Sequence, residues 1–139
     1  MNTRVLLAAL AGGVAIFLLG WLVYGILLMD TMRSINPQVE GYEKTEPQLW
    51  AIALSNLVWA LFYALIFDRW AGISTFKTGA IAGAWMAGLL ALSIDLYFIA
   101  ATNVMSINGL LLDVVVNIVM GAALGGVVGL VLGYRQGSK

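Results

Sequence analysis

The sequence predicts an all-α, polytopic membrane protein in which four transmembrane helices form one bundle. Of its 139 residues, 62% are hydrophobic and only 10% are charged, whereas a soluble domain has about 25% charged residues. Four apolar runs are each long enough to cross the roughly 30 Å of hydrocarbon in a bilayer. In the last two runs, small residues recur at every fourth position, a pattern that lets helix backbones approach closely in a membrane. We expect a single domain over residues 1–139.

The first apolar run extends from Val5 to Met29 without a charge. Its start resembles a signal peptide, but the run is far longer than the apolar core of such a peptide, so we expect a retained transmembrane helix. The polar outer loop 30–48 follows and contains both prolines of the chain. A second span is predicted from Leu49 to Phe67, with Trp50 and Trp70 flanking it as interfacial anchors.

The third span is predicted from Thr78 to Ala101 and the fourth from Leu110 to Tyr134. Because only a short neutral turn joins them, these two helices should be adjacent and antiparallel. With the N-terminus inside, the inner side carries five of the seven lysines and arginines, including Arg135 and Lys139 of the basic tail. This asymmetry predicts an N-in/C-in topology.

Small residues form a ridge along each of the last two spans, because residues four apart lie on one side of a helix. In the fourth span the ridge reads Gly109, Asp113, Asn117, Gly121, Gly125, Gly129 and Gly133. In the third span it reads Gly79, Gly83, Ala87, Ala91 and Asp95. We predict that the glycines at 79, 83, 121, 125, 129 and 133 mediate helix packing, with the fourth helix at the centre of the bundle.

The same topology places polar side chains from all four helices at one depth, in the outer third of the membrane, when about 1.5 Å is counted per residue. These candidate ligand- or cation-binding residues are Asp95, Asp113, Asn117, Asn56, Tyr24 and Trp21. An ionised aspartate inside a membrane costs on the order of 2.5–3.5 kcal/mol, and no lysine or arginine lies within a predicted span. The two carboxyl groups are therefore protonated, hydrated through an outward-open cavity, or neutralised by a bound cation.

Two interpretations of this polar layer stay open at the sequence level. The side chains serve as interhelical hydrogen-bond glue, worth about 0.6–2 kcal/mol per contact, or they form a site for a cation, a proton or a polar ligand. A third interpretation is that a groove beside Trp21 binds a lipid or an apolar pigment. No residue pattern in the sequence is specific to that function.

Composition excludes most specific chemistry. Cysteine and histidine are both absent, which removes disulfides, thiol nucleophiles, His-ligated haem and the usual zinc sites. No phosphate-binding glycine loop or H-E-x-x-H motif occurs, and a net charge of zero gives no sign of nucleic-acid binding. We therefore predict no enzyme activity, no cofactor and no metal centre.

The predicted function is that of a small noncatalytic membrane protein, binding or structural. The alternative is a small cation- or proton-linked transporter or channel that uses Asp95 and Asp113. The predicted partners are the lipid bilayer and either a second copy of the chain or a larger membrane complex.

The block Gly20-Trp21-Leu22-Val23-Tyr24-Gly25, followed by four spans that end in a glycine-rich helix, resembles an uncharacterised bacterial family. Its members, of Bacteroidetes type, are small four-helix inner-membrane proteins that carry a domain of unknown function. The likeness extends to Asn56, Asp95, Thr102-Asn103 and the ridge 113–133. The resemblance implies a bacterial inner-membrane location and brings no activity with it.

Overall fold

The computed structural model describes residues 1–134, and every regular element in that range is a helix. The elements are α1 (Thr3–Leu22), α2 (Met29–Ile35), α3 (Leu49–Ile66), α4 (Phe76–Ala101) and α5 (Ile107–Tyr134). A π-helical turn extends α1 through Val23–Leu27, and another extends α3 through Phe67–Ala71. The basic tail Arg135–Lys139 lies outside the described residues.

Four helical segments are long and apolar enough to cross a membrane. They are Thr3–Leu27, Leu49–Ala71, Phe76–Ala101 and Ile107–Tyr134. The prediction of an all-helical chain with four candidate spans is thus confirmed. The segment predicted as a polar loop, 30–48, also contains most of the short helix α2.

The helices start and stop at capping residues rather than where the apolar runs begin and end. The side chain of Thr75 accepts a hydrogen bond from the backbone N–H of Thr78 at 3.1 Å. Ser106 Oγ accepts one from the N–H of Gly109 at 2.9 Å. Such caps satisfy first-turn donors, so α4 and α5 begin before the predicted span starts. After α3, the chain stays helical through the π-helical turn Phe67–Ala71. The helix then ends at Gly72, whose φ of +61° is left-handed.

The two ends of the bundle differ in how tightly they are packed. We call the end that carries residues 28–48 the loop end, and the opposite end, where α1 begins, the terminal end. At the terminal end a continuous apolar core joins α1, α3 and α5, and it includes Val5, Ala8, Ala60, Tyr63, Ala64, Phe67, Leu124 and Val128. In the loop half of α3, by contrast, none of the residues 49–59 is buried. Helices α1, α3 and α5 are therefore tightly packed at the terminal end, whereas α3 is separated from the other helices at the loop end.

Helices α4 and α5 form the most extensive contact in the structure, as adjacent antiparallel helices. Their backbones touch directly: a Cβ atom added at Gly83 would collide with the carbonyl oxygen of Gly121, and one at Gly79 with that of Gly125. Farther along, Gly129 and Gly133 lie against the carbonyl oxygens of Thr75 and Ser74, just before α4. The two small-residue ridges face each other, and this contact positions Asp95 opposite Asp113 at the loop end.

An ion pair between Arg4 and Asp68 joins α1 to the π-helical turn after α3 at the terminal end. The two side chains are only 21% and 17% exposed. The ion pair lies beside the apolar core, because Asp68 directly follows the buried Phe67.

Replacement of Asp68 by asparagine is expected to lower the free energy of unfolding by about 1–3 kcal/mol, because it leaves a largely buried guanidinium without its anion. The melting temperature of the purified protein measures this loss. Arg69→Gln is the matched control, since the neighbouring Arg69 side chain is exposed. Equal effects of the two substitutions would show that the ion pair does not hold α1 to α3.

Candidate functional site

A hydrogen-bonded cluster links the end of α1 to the loop half of α5. The hydroxyl of Tyr24 donates to Asp113 Oδ1 at 2.8 Å. The Asn117 amide donates to Asp113 Oδ2 at 2.8 Å and to the Tyr24 hydroxyl oxygen at 3.2 Å. Asp113 and Asn117 share one side of α5 because they are four residues apart. Both carboxylate oxygens of Asp113 thus have a donor.

Tyr24 reaches this cluster from a widened helical turn. Between Val23 and Leu27 the helix changes to i→i+5 hydrogen bonding, and the N–H of Leu28 donates to the carbonyl of Val23 at 2.8 Å. Trp21 packs over Gly25, where an added Cβ would lie only 3.2 Å from the indole ring. Here the turn holds the tyrosine against α5.

Asp95 has a different environment from Asp113. Asp95 is only 4% exposed, and no other charged residue in the described part of the chain is buried. It lies next to Asp113 across the α4–α5 contact. Within residues 1–134, its Oδ2 atom is buried and accepts no hydrogen bond. The two ion pairs found in this part of the chain join Arg4 to Asp68 and Arg33 to Glu43, so neither neutralises Asp95.

A cavity of about 1000 Å³ opens above these carboxylates at the loop end, and we call it the loop-end cavity. Tyr24, Asp95 and Asp113 contribute to its deep part, together with Phe98. Its outer wall consists of residues 29–48, including the charged side chains Arg33, Glu43 and Lys44. Asp95 and Asp113 therefore line the loop-end cavity although Asp95 is almost completely buried.

A second cavity of about 610 Å³ lies between α1, α3 and α5, and we call it the side cavity. It occupies the space that α3 leaves when it stands apart from the other helices. Most of its lining is apolar or aromatic, including Phe17, Trp21, Trp59, Met120 and Leu124. Asn56 and Asn117 supply its polar groups. Tyr24 lines both cavities and forms part of the boundary between them.

The wall of the loop-end cavity is fastened to the start of α5. Asn36 Oδ1 accepts a hydrogen bond from the backbone N–H of Ser106 at 3.0 Å. Ser106 Oγ in turn donates to the carbonyl of Ile35 at 2.6 Å. A Cβ atom at Gly109 would collide with Asn36 Oδ1, so glycine is needed at that position for the loop to approach. These contacts place the loop over Asp95 and Asp113.

The structure brings together four of the six predicted polar residues: Tyr24, Asp95, Asp113 and Asn117. Asn56 and Trp21 instead line the side cavity. Neither forms a side-chain hydrogen bond with the cluster in the described part of the chain, and Trp21 is 62% exposed. Sequence reasoning did not identify Asn36 and Ser106; the one available signal was a serine three residues before a glycine at a helix start, a typical N-cap position.

Chemically, the site offers two carboxylates, one phenolic hydroxyl and one amide. Over residues 1–134, no group of three or more His, Cys, Asp and Glu side chains is arranged to hold a metal ion. The acceptors in excess are the Asp95 oxygens, since Asp113 already receives two hydrogen bonds. The arrangement is suited to a ligand that carries positive charge and hydrogen-bond donors.

Comparison with protein-family models, with curated proteins and with solved structures finds no match to this chain. The resemblance to a bacterial inner-membrane family therefore stays a prediction.

Proposed function

We propose that this chain is a noncatalytic integral membrane protein that binds a cation at Asp95 and Asp113, at the base of the loop-end cavity. The observation that carries the proposal is Asp95 itself: 4% exposed, beside a second carboxyl group, with Oδ2 lacking a hydrogen-bond donor in the described structure. A buried acceptor without a donor costs about 1–3 kcal/mol.

The asymmetry between the two carboxylates supports a binding role over hydrogen-bond glue. Glue requires a partner within the protein, and Asp113 has two in Tyr24 and Asn117. Asp95 instead faces the carboxyl group of Asp113, and these two groups can form a hydrogen bond only when one of them is protonated. A bound cation would offset the repulsion between them and supply the missing partner of Asp95.

The predicted N-in/C-in topology would place the loop-end cavity on the outer side of the membrane, and the family resemblance favours the bacterial inner membrane. In that orientation the ligand enters from outside, while the apolar core and the Arg4–Asp68 ion pair close the cytoplasmic side. We further propose that the α4–α5 ridges act as a glycine zipper within one chain. Homo-oligomerisation and association with a larger membrane complex remain predictions of the sequence.

A cation- or proton-linked transporter or channel is the second candidate function. It is favoured by the position of Tyr24 between the loop-end cavity and the side cavity. A change of the Tyr24 position would widen the passage between the two spaces. Ion flux into liposomes that contain the purified protein separates this candidate from simple binding.

Binding of a small ammonium ion tests the proposed function. The melting temperature of the purified protein is expected to rise with methylammonium concentration, because a ligand that binds only the folded state stabilises it by RT ln(1 + [L]/Kd). Ionic strength is held constant with tetramethylammonium, which has no N–H donor. Asp95→Asn is expected to remove the rise.

Glu43→Gln is the matched control for that substitution, since it removes a carboxylate from the exposed wall of the same cavity. It is expected to keep the response of the unaltered protein. A melting temperature that ignores methylammonium, sodium and potassium alike would overturn the proposal. So would an Asp95→Asn variant that responds as strongly as the unaltered protein.

A further inference from the structure

We infer that the ligand is an amphiphilic ammonium ion, whose N–H head lies in the loop-end cavity beside Asp95 and Asp113 and whose apolar body occupies the side cavity. The inference rests on the proposed cation site and names its ligand class. It is carried by the contact between two cavities of opposite character, one with buried carboxylates and one with aromatic and aliphatic walls.

The head group is argued from the donors and acceptors at the base of the loop-end cavity. Asp95 Oδ2 is buried and lacks a donor within the described residues, and an ammonium group brings N–H donors together with positive charge. A bare divalent ion is a poorer fit, because calcium takes six to eight oxygen ligands, whereas no third Asp or Glu side chain joins Asp95 and Asp113 within residues 1–134. The cavity volume, about 1000 Å³, also far exceeds that of one ion.

The apolar body is argued from the side cavity. Its volume of about 610 Å³ lies within the range of about 300–1000 Å³ that is typical of small-molecule sites. Phe17, Trp59 and Leu124 line it, and aromatic side chains bury large apolar areas. A hydrophobic chain or ring system would contact apolar side chains over most of this lining, with Asn56 and Asn117 as the polar side chains beside it.

The two cavities are neighbours. Tyr24, Met29, Pro47 and Ile52 line both of them, so one molecule can extend from the carboxylates past Tyr24 into the apolar space. The hydroxyl of Tyr24 is held by Asp113 and Asn117, which keeps the ring on the boundary. This juxtaposition predicts a ligand with charge at one end and hydrophobic bulk at the other.

Tryptophan quenching by a brominated amine tests the inference. The protein is placed in nanodiscs of phosphatidylcholine, whose head group has no N–H donor, and 11-bromoundecylammonium is added. The reference probe is 11-bromoundecyltrimethylammonium, which has the same chain and charge but no N–H. Both probes enter the bilayer, so bilayer quenching is common to the two. The primary ammonium is expected to give an additional saturable component, at least tenfold weaker in affinity after Asp95→Asn.

Two tryptophan variants locate the bromine. Replacement of both Trp21 and Trp59 by phenylalanine is expected to remove most of the saturable quenching, because both tryptophans line the side cavity. Trp85→Phe is the control: Trp85 is 68% exposed on α4 and lines neither cavity. Equal quenching by the two probes, or a saturable component that survives the replacement of both Trp21 and Trp59 unchanged, would overturn the inference. The comparison of probes on the unaltered protein needs no variant to fold.

Failure of this inference is distinguishable from failure of the proposed function. A protein that is stabilised by methylammonium through Asp95 but shows only bilayer quenching has the cation site without the apolar extension. A protein that shows neither response lacks both. Nanodiscs that contain phosphatidylethanolamine then identify the source of the ammonium: competition with the probe assigns it to a membrane aminolipid, and undiminished probe binding assigns it to a free amphiphilic amine.

Discussion

Replacement of Gly83 by alanine is expected to lower the free energy of unfolding by about 1–3 kcal/mol, the range observed for overpacked cores. The added methyl group would collide with the carbonyl oxygen of Gly121 and lie 3.0 Å from the Cα atom of Gly125. Both are backbone atoms of α5 and cannot move away by a change of rotamer. The helices must separate, which also pulls Asp95 away from Asp113.

Gly20→Ala is the matched control for this substitution. A Cβ atom at Gly20 would lie 3.5 Å from the end of the flexible Met120 side chain, an ordinary van der Waals distance. Since alanine is a better helix former than glycine by about 1 kcal/mol, this variant is expected to be as stable as the unaltered protein or more stable. Reversible unfolding in mild detergent measures both variants. A Gly83→Ala variant as stable as Gly20→Ala would show that close backbone contact between α4 and α5 does not stabilise the fold.

The architecture could be predicted because its causes are local in the sequence. Four long apolar runs produce four helices that could cross a membrane. The four-residue spacing of glycines places them on one side of each helix, and a short turn makes α4 and α5 neighbours. The meeting of Asp95 and Asp113 follows from the same two rules, since each continues its ridge toward the loop end.

The parts that escaped prediction depend on contacts between distant segments. The π-helical turn that directs Tyr24 toward α5 has no proline or other local marker in the sequence. The loop is fastened by Asn36 and Ser106, which are 70 residues apart. The sequence places Asn56 with the polar layer by depth alone, but depth does not determine which neighbour a side chain faces around its helix. In the structure Asn56 lines the side cavity, where α3 stands apart from the bundle.

The two neighbouring carboxylates are expected to respond to amide substitution with opposite signs when no binding cation is present. Asp113→Asn removes the charge that accepts hydrogen bonds from Tyr24 and Asn117, and an amide can accept on one side only. A hydrogen bond to a charged group is worth about 1.5–3 kcal/mol, so this variant should be destabilised by that amount. Asp95→Asn removes an unpartnered buried carboxylate and introduces an N–H that can donate to Asp113. It should therefore stabilise the protein by about 1–3 kcal/mol.

The free energy of unfolding, measured in a buffer whose only cation is tetramethylammonium, distinguishes this expectation from simple hydrogen-bond glue. If both aspartates were glue, each would have a partner in the protein, and both amide substitutions would cost stability or be tolerated alike. A stabilising Asp95→Asn beside a destabilising Asp113→Asn would instead mean that the fold carries an uncompensated carboxylate at position 95. A binding site accounts for that cost, because methylammonium should then stabilise the unaltered protein and narrow its gap to the Asp95→Asn variant. Destabilisation by both substitutions would mean that Asp95 has a structural partner, and the proposed cation site would have to be abandoned.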